Sequence, residues 1–84
     1  MEWYYLTFRS ITPAQRGERL LKRKGIAVSL MRAVRQISAE GCGYSLRIRP
    51  QHAGEVVELF RQNEIPFRKL FLQSASGEIK ELEL

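Results

Sequence analysis

The residue best suited to chemistry in this sequence is Cys42, which lies between two glycines in the stretch Gly41-Cys42-Gly43. Cysteine attacks as the thiolate, which is favoured beside cationic groups and at the N-terminus of a helix. The flanking glycines leave the sulfur unshielded and allow backbone amides to converge on an anion. The stretch therefore predicts an exposed, reactive thiol. The competing interpretation is a structural cysteine in a tight turn that enters a strand.

Cys42 is the only cysteine of the chain and His52 is the only histidine. A single thiol cannot form a disulfide within the chain, and one cysteine with one histidine falls short of a typical zinc ligand set. We therefore predict no metal site and no cofactor. The single cysteine, the lack of a signal peptide and the lack of an apolar run of about 18–20 residues predict a cytoplasmic protein.

Positive charge is concentrated in the first half of the chain. The formal net charge is +5; residues 1–43 contain eight basic and three acidic side chains, whereas residues 44–84 contain six of each. Such a distribution favours an anionic partner, such as nucleic acid, phosphate, an acidic protein or an anionic sulfur species. The alternative is that these side chains serve solubility and the ends of helices.

The first half of the chain predicts a strand followed by a helix. Residues 3–8 are rich in aromatic and other strand-favouring side chains. Thr12 predicts a helix N-cap, with Pro13 at the first helical position and Gln15 completing a capping box. The basic run and the glycine of residues 22–25 predict the end of this helix.

The rest of the chain predicts three more strands and a second helix. Residues 26–31 are typical of a second strand, and residues 44–49 predict a third by strict alternation. In that third strand the face formed by Tyr44, Leu46 and Ile48 alternates with the face formed by Ser45, Arg47 and Arg49. Pro50 predicts the start of the second helix, which ends with Asn63 in a left-handed conformation. A fourth strand over 67–72 precedes a turn and a segment, 78–84, that is either a weak edge strand or a frayed tail.

The order β-α-β-β-α-β predicts one domain over residues 1–84, with a core over about 3–72 and a turn plus edge strand or tail over 73–84. The expected fold is an α+β, ferredoxin-like sandwich: a four-stranded antiparallel sheet in the order 4-1-3-2 with two helices on one face. In this order, the connection between strands two and three lies at the same end of the sheet as the start of the first helix. Cys42 is therefore expected near Arg9, with Arg35 in its own connection.

The stretch over residues 35–47, which contains Ser38, Cys42 and the Leu46-Arg47 pair, resembles the signature of the selenium/sulfur carrier protein-like family. Members have a Cys-Gly pair after an Ile/Leu-Ser segment and before a strand that ends in Leu-Arg. They also open with a Tyr-rich strand that leads into Phe-Arg-Ser/Thr, as residues 4–10 do here. The resemblance extends over about residues 4–72.

The resemblance implies a carrier that holds a persulfide or selenosulfide on one exposed cysteine. Such a carrier needs no neighbouring resolving cysteine, and this chain has none. Cys42 is then the covalent carrier thiol, exposed by Gly41 and Gly43 and stabilised as an anion by Arg35 and Arg9. Ser38 and Arg47 complete the expected binding residues.

We expect a carrier rather than an enzyme, because His52 is the only obvious general base and the predicted topology puts it at the opposite end from Cys42. The expected partners are sulfur or selenium donor and acceptor proteins, and the expected state is a monomer or a weak homodimer.

Two other functions are compatible with the sequence. A small basic RNA-binding module would stack bases on Tyr44 and on aromatic side chains of the first strand. An anion-binding regulatory module would use Arg47 and Arg49 on one face of the third strand, because guanidinium groups suit carboxylate or phosphate. The ordinary alternative is that these arginines are solvated on the surface of the sheet.

Overall fold

The computed structural model of the protein describes residues 1–33 and 43–82. The described elements are, in chain order, β1 (Trp3–Phe8), α1 (Ile11–Arg23), β2 (Val28–Arg32), β3 (Tyr44–Ile48), a short 3-10 helix (Pro50–His52), α2 (Ala53–Gln62), β4 (Leu70–Gln73) and β5 (Ile79–Leu82). The predicted bounds of the first strand are confirmed. The second and fourth strands begin two and three residues later than predicted, respectively.

The strands form one antiparallel sheet in the order β2-β3-β1-β4-β5. The α+β class is confirmed, but the prediction of four strands is wrong, and the ferredoxin-like order is not matched exactly. The fifth strand forms because a tight turn at Gly77, with φ +94°, lets the chain fold back on β4. The amide of Ser74 donates to the carbonyl of Glu78 (2.8 Å) and closes this hairpin. The segment 78–84 is thus an edge strand over Ile79–Leu82 rather than a frayed tail there.

Both helices contribute to one apolar core on one face of the sheet. Its buried side chains come from β1, β3 and β4, from both helices, and from the segments that follow the helices: Leu6, Phe8, Ala14, Leu20, Leu21, Ile26, Leu46, Ile48, Val56, Phe60, Ile65 and Leu70. Gly17 allows the closest approach of α1, because a Cβ there would lie 2.8 Å from Phe60 Cζ and 2.9 Å from Leu46 Cδ1. The predicted placement of two helices on one face is confirmed.

The start of α1 differs from the prediction. The helix begins at Ile11 with Ser10 as N-cap, so Thr12 and Pro13 occupy its second and third positions. Proline is tolerated there because the first four amides of a helix have no partner within the helix. The predicted end is confirmed: Lys22 and Arg23 lie in the last turn, followed by Gly25 with φ +76°.

The second helix also starts later than predicted. Pro50 opens the 3-10 helix, and α2 follows at Ala53. The left-handed residue after α2 is Glu64, with φ +54°, whereas Asn63 has φ −103°. Asn63 instead caps α2 through its side chain, because its Nδ2 donates to the carbonyl oxygen of Leu59 at 2.9 Å. Among the described residues, no helix has the length and apolar character needed to cross a bilayer.

Candidate functional site

Four of the predicted site residues, Gly41, Cys42, Arg35 and Ser38, lie outside the described residues. The residues on either side of that segment are described and lie close together, because the amide of Ala33 donates to the carbonyl oxygen of Gly43 at 3.1 Å. This bond continues the pairing of β2 with β3 by one step beyond Arg32 and Tyr44. Ala33 and Gly43, which flank the segment, thus lie next to each other at one end of the β2–β3 pair.

The strand register places the end of β1 at that same point. Phe8 pairs with Tyr44, so Arg9, the next residue after Phe8, lies at the same end of the sheet as Gly43. Arg32, the last residue of β2, also pairs with Tyr44, and its guanidinium carbon lies 5.6 Å from the centroid of the Tyr44 ring. Arg32 lies in β2, one residue beyond the predicted end of the second strand. Gly43, Arg9 and Arg32 together define what we call the hairpin end.

The N-terminus of α1 belongs to the hairpin end, because Ser10 directly follows Arg9. Ser10 has extended backbone angles, its side chain makes no capping hydrogen bond, and the first turn of α1 has no acidic residue. The free amides at a helix N-terminus correspond to about half a positive charge. With two exposed arginines nearby, the described part of the hairpin end favours an anion.

Arg47 lies farther from the hairpin end than the other described site residues. It is four residues after Gly43, about 13 Å along an extended strand. It projects from the face opposite the helices, where its guanidinium carbon lies 4.0 Å from the centroid of the Trp3 ring. The guanidinium carbon of Arg49 lies 4.4 Å from the same centroid. The predicted alternation of β3 is confirmed, and both arginines are engaged with Trp3 rather than fully solvated.

Ser45 is a polar residue whose burial the sequence did not indicate. It is fully buried on the Arg47 face, and neither its Oγ nor the buried Nε of Arg47 has a hydrogen-bond partner among the residues described. The alternation of β3 predicts which face of the strand Ser45 lies on. Its burial depends on the residues that pack over that face, which the alternation does not indicate.

The aromatic side chains of the two central strands do not form an open stacking platform. Tyr44 packs against the helix-side core, and Tyr5 is only 4% exposed. The hydroxyl of Tyr5 donates to Gln73 Oε1 at 2.8 Å. Because Trp3 is engaged by Arg47 and Arg49, this geometry does not favour the base stacking of an RNA-binding sheet.

His52 lies in the 3-10 helix that follows β3, at the end of that strand away from Gly43. Its Nδ1 is 3.6 Å from Oε1 of Glu55, within the same helical segment. Its distance from Cys42, which lies outside the described residues, stays a prediction. Within residues 1–33 and 43–82, no group of three potential ligands from histidine, cysteine, aspartate and glutamate comes together to hold a metal ion.

The family described as "putative Se/S carrier protein-like" matches residues 3–72, most of the chain and the whole stretch around Cys42. No curated protein and no solved structure matches significantly. The chain therefore belongs to the putative Se/S carrier protein-like family.

Proposed function

We propose that this protein carries sulfur or selenium, bound covalently to Cys42 as a persulfide or selenosulfide. The observation that carries the proposal is the family match, which extends over residues 3–72 and includes this cysteine. The sequence adds that Cys42 has no second thiol to discharge it within the chain.

The loading step is a sulfane transfer from a donor persulfide. The Cys42 thiolate attacks the terminal sulfur of the donor, a new S–S bond forms, and the S–S bond of the donor breaks. The donor leaves as its thiolate, so one sulfur atom moves and no external oxidant is needed. Selenium moves in the same way when the donor presents a selenosulfide. Delivery repeats the step with an acceptor thiolate as the nucleophile.

The hairpin end supports this chemistry through its charge. Arg9 and the N-terminus of α1, which has no side-chain cap, favour the thiolate over the thiol. In the proposal Arg35 adds a second guanidinium, Ser38 contacts the anion, and Gly41 and Gly43 leave the sulfur open to partner proteins. Arg47, farther along β3, is the remaining binding residue of the proposal.

The proposal describes a carrier rather than an enzyme. His52, the only histidine of the sequence, lies at the end of β3 away from Gly43, and the proposal therefore assigns no imidazole base to Cys42. The chemistry that completes the cycle then belongs to donor and acceptor proteins. We place the protein in the cytoplasm, where thiols are kept reduced, as a monomer or weak homodimer.

The intact mass of the purified protein tests the proposal. The protein is incubated with a cysteine desulfurase and cysteine, or with a low-molecular-weight selenosulfide whose selenium is terminal (R–S–SeH), beside a Cys42→Ser variant. We expect a mass gain of one sulfur or selenium atom that a reductant reverses. Because Cys42 is the only cysteine, Cys42→Ser should show no gain.

A second measurement separates a carrier thiol from any accessible cysteine. The folded protein should accept sulfur faster than the same chain unfolded in concentrated urea, because only the folded chain assembles the positive hairpin end. Equal rates, or slow alkylation of Cys42 in the folded state, would show a structural thiol and contradict the proposal.

A further inference from the structure

A basic groove lies between α1 and the chain that ends α2. It has a volume of about 480 Å³ and is lined by Arg16, Arg19, Leu20, Lys22, Arg23, Asn63 and Ile65. A hollow of about 400 Å³ continues it toward Lys24, Leu59 and Gln62, and the two share Leu20, Arg23 and Asn63. We call this combined surface the helix groove.

The helix groove carries positive charge that its own lining does not neutralise. Its lining contains no acidic residue. Lys22 pairs with Glu18 at 3.4 Å, and Arg16 donates to the carbonyl oxygen of Asn63 at 3.4 Å. Across residues 1–33 and 43–82, Arg19 and Arg23 have no ion-pair or hydrogen-bond partner. Two guanidinium groups that have no partner among these residues therefore line a concave surface.

Compensation of the helix dipole explains only part of this charge. Lys22 and Arg23 lie in the last turn of α1, where cations are favourable. Arg16 and Arg19 lie in the middle of the helix, and the dipole effect fades within one turn of its end. Their alignment beside Asn63 and Ile65 needs another explanation.

The dimensions and lining of the helix groove favour a short acidic peptide segment. From Arg16 to Lys24 the helix rises about 12 Å, the length of about four extended residues. No aromatic residue lines the helix groove, whereas single-stranded nucleic acid is held mainly by stacking on aromatic side chains. Its floor is apolar, formed by Leu20, Leu59 and Ile65.

We propose that the helix groove docks an acidic segment of a partner protein, with carboxylates on Arg19 and Arg23 and an apolar side chain on the floor. Guanidinium groups bind carboxylates in pairs of parallel hydrogen bonds, so two free arginines can read such a segment. The inference does not depend on the reactivity of Cys42.

The test is an NMR titration of the full-length protein with a synthetic Glu-Glu-Leu-Glu-Glu peptide at low salt. We expect the largest shifts in the second half of α1 and at Asn63 and Ile65. A Lys-Lys-Leu-Lys-Lys peptide should cause none. Reversing both charges, Arg19→Glu with Arg23→Glu, should weaken binding about tenfold. The milder Arg19→Gln with Arg23→Gln should weaken it less and guards against a folding defect.

A matched control changes the net charge equally elsewhere. Arg61→Glu with Lys80→Glu alters two exposed cations that do not line the helix groove, and binding should be nearly unchanged. Cys42→Ser should bind the peptide as the native protein does, so this result is separate from that of the carrier proposal. The inference is overturned if millimolar peptide leaves these residues unshifted, if the control variant binds as weakly, or if single-stranded RNA occupies the same residues more tightly.

Discussion

The two ends of α1 differ in how their charge is treated. At the C-terminal end, Lys22 and Arg23 lie over the negative pole of the helix, and Gly25 ends it in a left-handed conformation. At the N-terminal end, Ser10 makes no side-chain cap, and the first turn has no acidic residue. The negative C-terminal end of the helix dipole is thus compensated by basic side chains, whereas the positive N-terminal end has no acidic side chain in its first turn.

This difference separates two kinds of anion site along one helix. The positive N-terminus lies at the hairpin end, where it favours a small anion such as the proposed thiolate or persulfide. The helix groove begins at Arg16 and runs to the other end, where long side chains offer guanidinium groups to carboxylates. Backbone amides supply the positive charge of the first site, and guanidinium groups supply that of the second. Substitutions can therefore change the charge of each site separately.

The largest effect, on the free energy of unfolding, is expected at the middle of α1, where Gly17 packs closely against the core. Gly17→Ala should lower the free energy of unfolding by about 1–3 kcal/mol, because the new methyl group would overlap Phe60 and Leu46 in the core. Gly54→Ala in α2 is the matched control: nothing lies within 4 Å of its added Cβ. Helix propensity should make that variant up to about 1 kcal/mol more stable. Urea unfolding of both variants measures the difference; equal midpoints would show that α1 does not depend on this close approach.

An intermediate effect is expected when the positive pole is neutralised. Thr12→Glu places a carboxylate in the first turn of α1, where it stabilises the helix by about 0.3–1 kcal/mol and disfavours a nearby thiolate. Alkylation of Cys42 at neutral pH should then slow by about two- to fivefold. This factor corresponds to a repulsion of about 0.3–1 kcal/mol between the new carboxylate and the thiolate.

Ser76→Glu is the control for this charge. It adds the same negative charge in the turn between β4 and β5, beyond the pairing of Gln73 with Trp3 and away from the hairpin end. Its alkylation rate should match that of the native protein. If Thr12→Glu also leaves the rate unchanged, the N-terminus of α1 does not act on Cys42, and that part of the proposal fails.

The smallest effect is expected from Arg16→Gln. Its hydrogen bond to the carbonyl oxygen of Asn63 is long and exposed, so the free energy of unfolding should change by less than about 0.5 kcal/mol. Binding of the acidic peptide should still weaken by about two- to fivefold, because one cation of the helix groove is lost. Calorimetric titration alongside urea unfolding measures both quantities. A large loss of stability with unchanged binding would show that Arg16 joins the helices rather than serving the groove.

Several features followed from the sequence because they are local. The alternation of β3 gave the faces of Arg47 and Tyr44 correctly, since side chains along a strand point to opposite faces in turn. The end of α1 was predicted because a basic last turn followed by glycine is a short-range signal. The family was recognised from the residues around Cys42, and the match over residues 3–72 confirms it.

Other predictions failed where packing overrides local preference. Thr12 and Gln15 have the spacing of a capping box, yet the helix starts two residues earlier than predicted, with Ser10 as N-cap and Ile11 as its first residue. For residues 78–84 the sequence predicts either an edge strand or a tail, because their alternation is weak, and the pairing of Ile79–Leu82 with β4 decides for the strand. Asn63 was predicted to be left-handed, but it caps α2 with its side chain, and the residue with the left-handed conformation is Glu64.

The sequence by itself determined the α+β class, the family, the single thiol and the concentration of positive charge in the first half. The strand order predicted from the sequence already places Arg9 at the end of the sheet where the connection to Tyr44 arrives. Only the tertiary structure decided the register, which is the pairing of Phe8 with Tyr44. The tertiary structure also decided that the cations of α1 line a groove, because Asn63 and Ile65 pack beside them from forty or more residues away along the chain. Periodicity and caps act over a few residues, whereas register and helix packing bring distant residues together, and both candidate sites depend on the latter.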